Sequence, residues 1–258
     1  MTTAEQAGKA QRFVDLHVPG TPLVVFNIWD AGSAKAVTRA GAKALGTSSW
    51  SVADANGFSD GERIPLALAI ENLRRIIRAT DLPVTVDLES GYGDTPEGIG
   101  ETIGAAIDAG AVGCNLEDSF PADGRLREIA AQAARIRCAR RTADAAKIHF
   151  FLNARTDVFF QKPPEQHDER MVMEAAERAR AYADAGADGL FAPGLVNAAL
   201  IRDLAEKSPL PLNIMTGDGT PPLRALADLG VARVSHGPGP YLAVMKALED
   251  LARASSAP

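Results

Sequence analysis

DAGAVGCNLED, residues 108–118, runs from the end of a helix through a glycine into a short apolar strand that finishes in acids. Gly110 stands where a chain leaving a helix needs φ > 0, a conformation glycine adopts without steric cost. The pattern recurs in RAGAKALGTSS (39–49), DAGADGLFAPG (184–194) and DLGVARVSHG (228–237), with Gly41, Gly186 and Gly230 in the same place. ATDLPVTVDL (79–88) and EKSPLPLNIMT (206–216) make the joint with a polar turn and proline instead. LVVFNIWD (23–30) and IHFFLNARTD (148–157) bring the strands to eight. Helical patterns fill 66–80, 98–110, 126–146 and 170–186. Strands alternating with helices imply parallel pairing through right-handed crossovers. Eight such units in 258 residues have the size of a single (β/α)8 TIM-type barrel. A doubly wound open sheet is the alternative. No linker divides the chain, so residues 1–258 are expected to form one domain, with 1–18 and 253–258 loosely held.

Composition narrows the function. A hydrophobic share of 46% with 23% charged residues is ordinary for a globular protein. The net charge of −6 argues against nucleic acid, whose binding calls for a basic stripe. No run approaches a membrane span and the N-terminus lacks an apolar leader, so a cytoplasmic protein without membrane contact is expected. Cys114 and Cys138 form no metal motif and are expected to be free thiols.

In a barrel the chemistry sits at the C-terminal ends of the strands. There the sequence places Asn27 and Asp30; Thr47, Ser48 and Ser49; Asp87 and Glu89; Asn115, Glu117 and Asp118; Asn153, Arg155 and Asp157; Asn213 and Thr216; Ser235 and His236. Asp87/Glu89, Asn115/Glu117 and Asn153/Arg155 are two residues apart, so each pair shares one strand face. Two acids on one face repel unless a cation lies between them. Carboxylates from different strands with room for water suit Mg2+. Arg155 offers a planar fork for a carboxylate or enolate oxygen. Hydroxyls and backbone N–H groups around Ser48 and Ser49 suit a second carboxylate oxygen. Together these suit a small α-keto acid chelated to a metal, its enolate stabilised electrostatically.

TSSWSVADANGFSDGE (47–62), VDLESGYGD (86–94), NLED (115–118) and NARTDVF (153–159), in that order, resemble the isocitrate lyase/phosphoenolpyruvate mutase superfamily. The resemblance covers about residues 20 to 245. It implies a β/α barrel that exchanges its last helix between subunits, forming homo-oligomers, dimers or tetramers. It implies Mg2+, with Mn2+ as the alternative, and an enolpyruvate-like intermediate. It puts the direct metal aspartate at Asp87 and the second acid, usually Asp, at Glu89. Further metal carboxylates reached through water fall on Asp60 and Glu117, the substrate-binding arginine on Arg155, and the carboxylate-binding turn on Ser48 and Ser49 beside Trp50. Asn153 and Asn213 join the substrate-binding set.

One departure bears on the reaction. The lyases carry a Lys-Lys/Arg-Cys-Gly-His loop after the Glu-Asp strand, and the mutases carry Lys and Asn in a longer loop. Here that region is SFPADGRLREIA (119–130), with neither. Carbon–carbon cleavage of a small α-keto or 2-hydroxy acid, as a lyase or an oxaloacetate-type decarboxylase, asks least of such a site. A retro-aldol step needs a base, for which His236 is the candidate. Phosphonate chemistry, as mutase or hydrolase, would use Arg125 or Arg127 over a phosphoryl group. A barrel that binds keto acids without turnover is the third reading.

Overall fold

The computed structural model describes residues 3–93 and 95–256. The chain opens with α1 (Ala4–Asp15), β1 (Leu23–Val25), β2 (Asn27–Ile28), α2 (Ala31–Arg39), β3 (Leu45–Thr47) and α3 (Ser49–Ala55). It continues with α4 (Leu66–Ile77), β4 (Val84–Asp87), α5 (Pro96–Ala109), β5 (Gly113–Glu117), α6 (Ile129–Ala145) and β6 (Phe151–Arg155). It ends with α7 (Glu169–Asp184), β7 (Gly189–Phe191), α8 (Ala198–Lys207), β8 (Leu212–Met215), α9 (Leu223–Asp228), β9 (Arg233–Ser235) and α10 (Gly239–Ser256).

Every strand pairing is parallel. β1 pairs with β9 and β2 with β3, and the two short strands are joined through Phe26. They are the halves of one edge-to-edge strand, so the sheet closes on itself and the open-sheet alternative falls. The eight strand segments of the sequence are all present, the first broken in two. Gly41, Gly110, Gly186 and Gly230 all take positive φ, at 90°, 105°, 98° and 84°.

Around the barrel the helices bury their apolar stripes, as in α5, where Ile99, Ile103, Ala106 and Ile107 face inward. Thr95 accepts a hydrogen bond from Gly98 N at the start of α5, and Asp168 and Asn197 cap α7 and α8 in the same way. Asp30, at the end of the first strand, is spent on a capping box with Ser33.

The N-terminal segment corrects one expectation. Residues 1–18 were expected to be loose, yet α1 crosses the floor of the barrel. Phe13 is fully buried, with its ring edge-on to Phe151 at 5.5 Å, and His17 stacks on Phe151 at 4.0 Å. A Cβ on Gly113 would stand 2.9 Å from Phe151 Cβ, and one on Gly189 would stand 2.9 Å from its ring, so both strands are bare where the plug enters. Burial, then the positive Arg233, push His17 down to about 3. At the other end, α10 continues through residue 256, with residues 253–255 exposed; residues 1–2, Asp94 of the GYGD turn, and 257–258 lie outside the described residues.

Candidate active site

The strand register decides which side chains meet. Asp87, Asn115, Asn153 and Gly189 lie in one row across β4 to β7. Glu117, Arg155 and Phe191 form the row above on β5 to β7. Above these rows opens a cavity of about 190 Å3 at the C-terminal face. Its polar side is lined by Asn27, Ser48, Ser49, Asp60, Asp87, Asn115, Arg155 and Ser235. Its other side is apolar, formed by Trp50, Phe160, Phe191, Pro193, Met215 and Pro238.

Asp87 Oδ2 accepts hydrogen bonds from Ser49 Oγ at 3.0 Å and Ser49 N at 3.3 Å. Glu89 has φ of 52°, which turns its buried carboxylate back toward the loop after α3. There its Oε2 accepts from Gly61 N at 2.8 Å and Glu62 N at 2.7 Å, and Tyr92 Oη donates to Oε1 at 3.4 Å. Glu62 Oε1 in turn accepts from Ser90 Oγ and Tyr92 N. Burial, then the nearby Asp60 and Asp87, push Glu89 up to about 7. Burial and Asp87 raise Asp60 as well. These are the marks of acids crowded together without enough positive charge.

That crowding is the test of whether a divalent cation suits the site, and the donor set passes it. Among the described residues no three His, Cys, Asp or Glu converge as a closed cage. A cation here would draw on one or two carboxylates, Asp87 foremost, with Asp60 and Glu89 behind, and keep waters. This is how Mg2+ is commonly bound.

Arg155 is already engaged. Its Nε and Nη2 donate to Asp157 at 2.6 and 3.1 Å, and its Nη1 lies 2.8 Å from Glu117 Oε2. Ser119 Oγ bridges the two acids, 2.6 Å from Asp157 and 3.2 Å from Glu117. One guanidinium cannot neutralise two buried carboxylates, so burial holds Glu117 well above the usual carboxylate range while Arg155 stays charged. Asp157 stands at the strand end where the sequence placed it; Ser119, Glu62 and Tyr92 were not placed in the site by the sequence, although SDGE and GYGD flank it. Asp118 serves the fold, accepting from Tyr182 Oη at 2.7 Å, Arg178 at 3.2 Å and Asp157 N at 3.0 Å.

Several expected residues lie elsewhere. His236 does not line the cavity: its Nδ1 meets Thr216 Oγ1 at 2.8 Å and its ring packs on Phe26 at 5.0 Å, at the wall. The chain presents Gly237 and Pro238 instead, because Asn27 Oδ1 accepts from His236 N and Gly237 N and pins that turn. Asn153 and Asn213 lie beneath the cavity, where Asn153 Nδ2 donates to Asn115 at 2.9 Å and to Asn213 at 3.1 Å. Ser48 lines the cavity but its hydroxyl accepts from Ser51 at the start of α3. Trp50 packs edge-on against Tyr241, whose hydroxyl bonds Asp54. In the shortened loop Arg125 is exposed and paired with Asp123, and Arg127 lies flat over Phe120 at 4.0 Å; neither lines the cavity. Cys114 and Cys138 are buried free thiols.

With this geometry, comparison with known proteins decides the lineage. The family model described as phosphoenolpyruvate phosphomutase matches residues 13–255. This chain belongs to the phosphoenolpyruvate mutase family. Within it, a crystal structure from Burkholderia cenocepacia J2315, provisionally named a phosphonomutase, is 58% identical, with a TM-score of 0.95 over 97% of this chain and 100% of that one. The 2-methylisocitrate lyase of Escherichia coli is 29% identical over 86% of this chain and 78% of its own length. An oxaloacetate decarboxylase of Pseudomonas aeruginosa is 31% identical over 74% of this chain and 65% of its own length. The family therefore holds lyases and decarboxylases as well as phosphomutases. Among the described residues no helix is long and apolar enough to cross a membrane.

Proposed function

We propose that this member of the phosphoenolpyruvate mutase family is a divalent-metal-dependent enzyme that cleaves a carbon–carbon bond in a small α-keto or 2-hydroxy carboxylic acid. One observation carries this reading. The cavity has a single lining arginine, already engaged by two acids, and its far wall is apolar. Among the described residues that wall offers a departing phosphoryl group no side-chain cation, whereas a neutral fragment such as carbon dioxide fits it.

A bound divalent cation would supply Lewis-acid polarisation of the keto oxygen. Asp87, oriented by Ser49, would hold it. Asn115 and the Ser48–Ser49 turn orient the carboxylate end. In decarboxylation the C3–C4 bond breaks, its electrons pass toward the C2 oxygen, and no base is needed to begin. Arg155 has five N–H donors and spends three on Glu117 and Asp157, leaving two for a developing enolate oxygen. The apolar side of Phe160, Phe191, Met215 and Pro238 excludes water from the enolate.

Phosphonate chemistry is the second reading, supported by the name of the Burkholderia relative. The test is pyruvate release from oxaloacetate, methylisocitrate, dimethylmalate and phosphonopyruvate, each with Mg2+ and with EDTA, beside an Asp87→Ala control. Asp87-dependent turnover of a carbon substrate is expected. Turnover of phosphonopyruvate alone would select the second reading. Silence on all four with keto-acid binding intact would leave a binding barrel.

The proposal extends to assembly. α10 leaves its own barrel with Leu242, Val244, Leu248 and Leu251 exposed by 49, 48, 59 and 70%. A groove of about 700 Å3 lies open on the outer wall, lined by Val18, Val24, Phe26, Val37 and Ala40. These two surfaces suit an exchanged helix in a homo-oligomer, since contiguous apolar patches of this kind mark interaction sites.

A further inference from the structure

Arg233 heads the large side chains of the interior that are fully buried, at 1% exposure. It stands on β9 two residues before Ser235, a lining residue of the cavity, so its side chain shares that inward face one step lower. Its row neighbours are Leu23 and Asn213. The Phe13 plug lies below it, the ring centre 5.9 Å from the guanidinium carbon. A Cβ on Gly46 would stand 3.8 Å from its Nη2, so β3 is bare where the head group lies.

Two other arginines of the interior sit against carboxylates, Arg155 on Glu117 and Asp157, Arg178 on Asp118. Arg233 has no such contact, and its Nε and Nη1 have no hydrogen-bond partner among the described residues. A guanidinium remains ionised in proteins, and an isolated buried charge is costly. The acid that favours its charge most strongly is Asp87. The titratable group facing it from the floor, His17, is neutral at ordinary pH. The interior thus holds a cation with no contacting carboxylate among the described residues, one strand step below Ser235 and the cavity that Asp87 also lines.

We propose that Arg233 is the internal counter-ion of Asp87, a fixed positive charge that balances this acid in the metal-free protein and sets how tightly the site holds a divalent cation. It is a positioning residue, since it acts through Asp87 and does not line the cavity. The inference rests on the reading that Asp87 holds a cation. Its sign is distinctive: removing a space-filling side chain weakens a binding site, whereas removing a like charge beneath a bound cation strengthens it.

The test combines Mn2+ titration followed by electron paramagnetic resonance with thermal melts in EDTA. The variants are Arg233→Met, Arg233→Lys, Asp87→Asn and the double variant D87N/R233M. A unit charge about 10 Å from a divalent cation at an effective dielectric of about 20 changes affinity on the order of a hundredfold, so R233M should bind Mn2+ about a hundredfold tighter and R233K within about twofold of the parent. In EDTA the double variant should melt higher than the two single losses added together. Unchanged or weaker Mn2+ binding by folded R233M, or additive melts, would overturn the assignment. If the parent binds no Mn2+, the cation reading fails and the melts alone decide Arg233. If R233M yields no folded protein, recovery of folding in D87N/R233M supports the counter-ion role and failure to recover overturns it.

Discussion

Glu89 makes the metal-free protein sensitive to pH in a direction opposite to that of most carboxylates. Its ordinary value of 4.5 is raised to about 7 by burial and by Asp60 and Asp87. A carboxyl with a raised folded-state pKa holds its proton in the folded protein while the unfolded chain has already lost it. Below the unfolded value both states are protonated and nothing is lost. Stability then falls as pH rises from 4.5 to 7 and levels off above. The rise from 4.5 to about 7 corresponds to about 3 kcal/mol, at about 1.4 kcal/mol for each tenfold change in proton affinity. The variant Glu89→Gln keeps an oxygen to accept from Gly61 N and Glu62 N, and Tyr92 Oη can accept from its amide, so it mimics the protonated acid. In EDTA, parent and E89Q should unfold at similar denaturant midpoints at pH 5. At pH 8 E89Q should be the more stable by about 1–3 kcal/mol, or roughly 3–10 °C in melting temperature for a chain of this size. Adding Mg2+ at pH 8 should restore the parent and leave E89Q little changed. A parent equally stable at pH 5 and pH 8 in EDTA, or an E89Q less stable than the parent at pH 8, would refute the crowded-acid account.

Asp87→Ala should abolish Mg2+-dependent turnover while the far-ultraviolet dichroism stays that of the parent; retained activity would remove Asp87 as the metal's anchor. Arg155→Lys should lower kcat/KM by about a hundredfold or more, because an ammonium cannot bridge Asp157 and Glu117 and still reach substrate, so an unchanged kcat/KM would make Arg155 structural. Phe13→Ala should cost about 3–5 kcal/mol in denaturant unfolding by emptying the barrel floor, and a cost below about 1 kcal/mol would mean α1 is not the plug described. Leu248→Asp should shift the protein to a smaller species in analytical ultracentrifugation, and an unaltered sedimentation coefficient would separate α10 from assembly.

Much of the architecture is local and so was legible in the chain. Helix exits at Gly41, Gly110, Gly186 and Gly230 are single-residue requirements, visible without any partner. Alternation along a strand assigns Asp87, Asn115, Asn153 and Arg155 to the inner face, since a period of two needs no tertiary information. Strand alternation with helices supplies the parallel barrel. The α1 plug escaped because residues 4–15 are a polar-looking helix with only Gln6, Ala10 and Phe13 buried, and its apolar partner is the distant Phe151.

The eight-stranded alternation, the inward set of acids and amides, and the end of the barrel where they gather are written in local patterns of the chain. How deep each side chain sits, and which charge it faces, depends on the closed barrel. Neighbouring inward residues on one strand differ by a whole layer, and the layer depends on the stagger of strands far apart in sequence. That stagger lowers Asn153 and Asn213 beneath the cavity, sets Arg155 beside Glu117, and seals Arg233 in the interior. The orientation of His236 was decided by Asn27, more than two hundred residues away in the chain, whose side chain pins the turn at the closing strand. Charge balance in a closed barrel is a property of all strands together, and no single motif carries it.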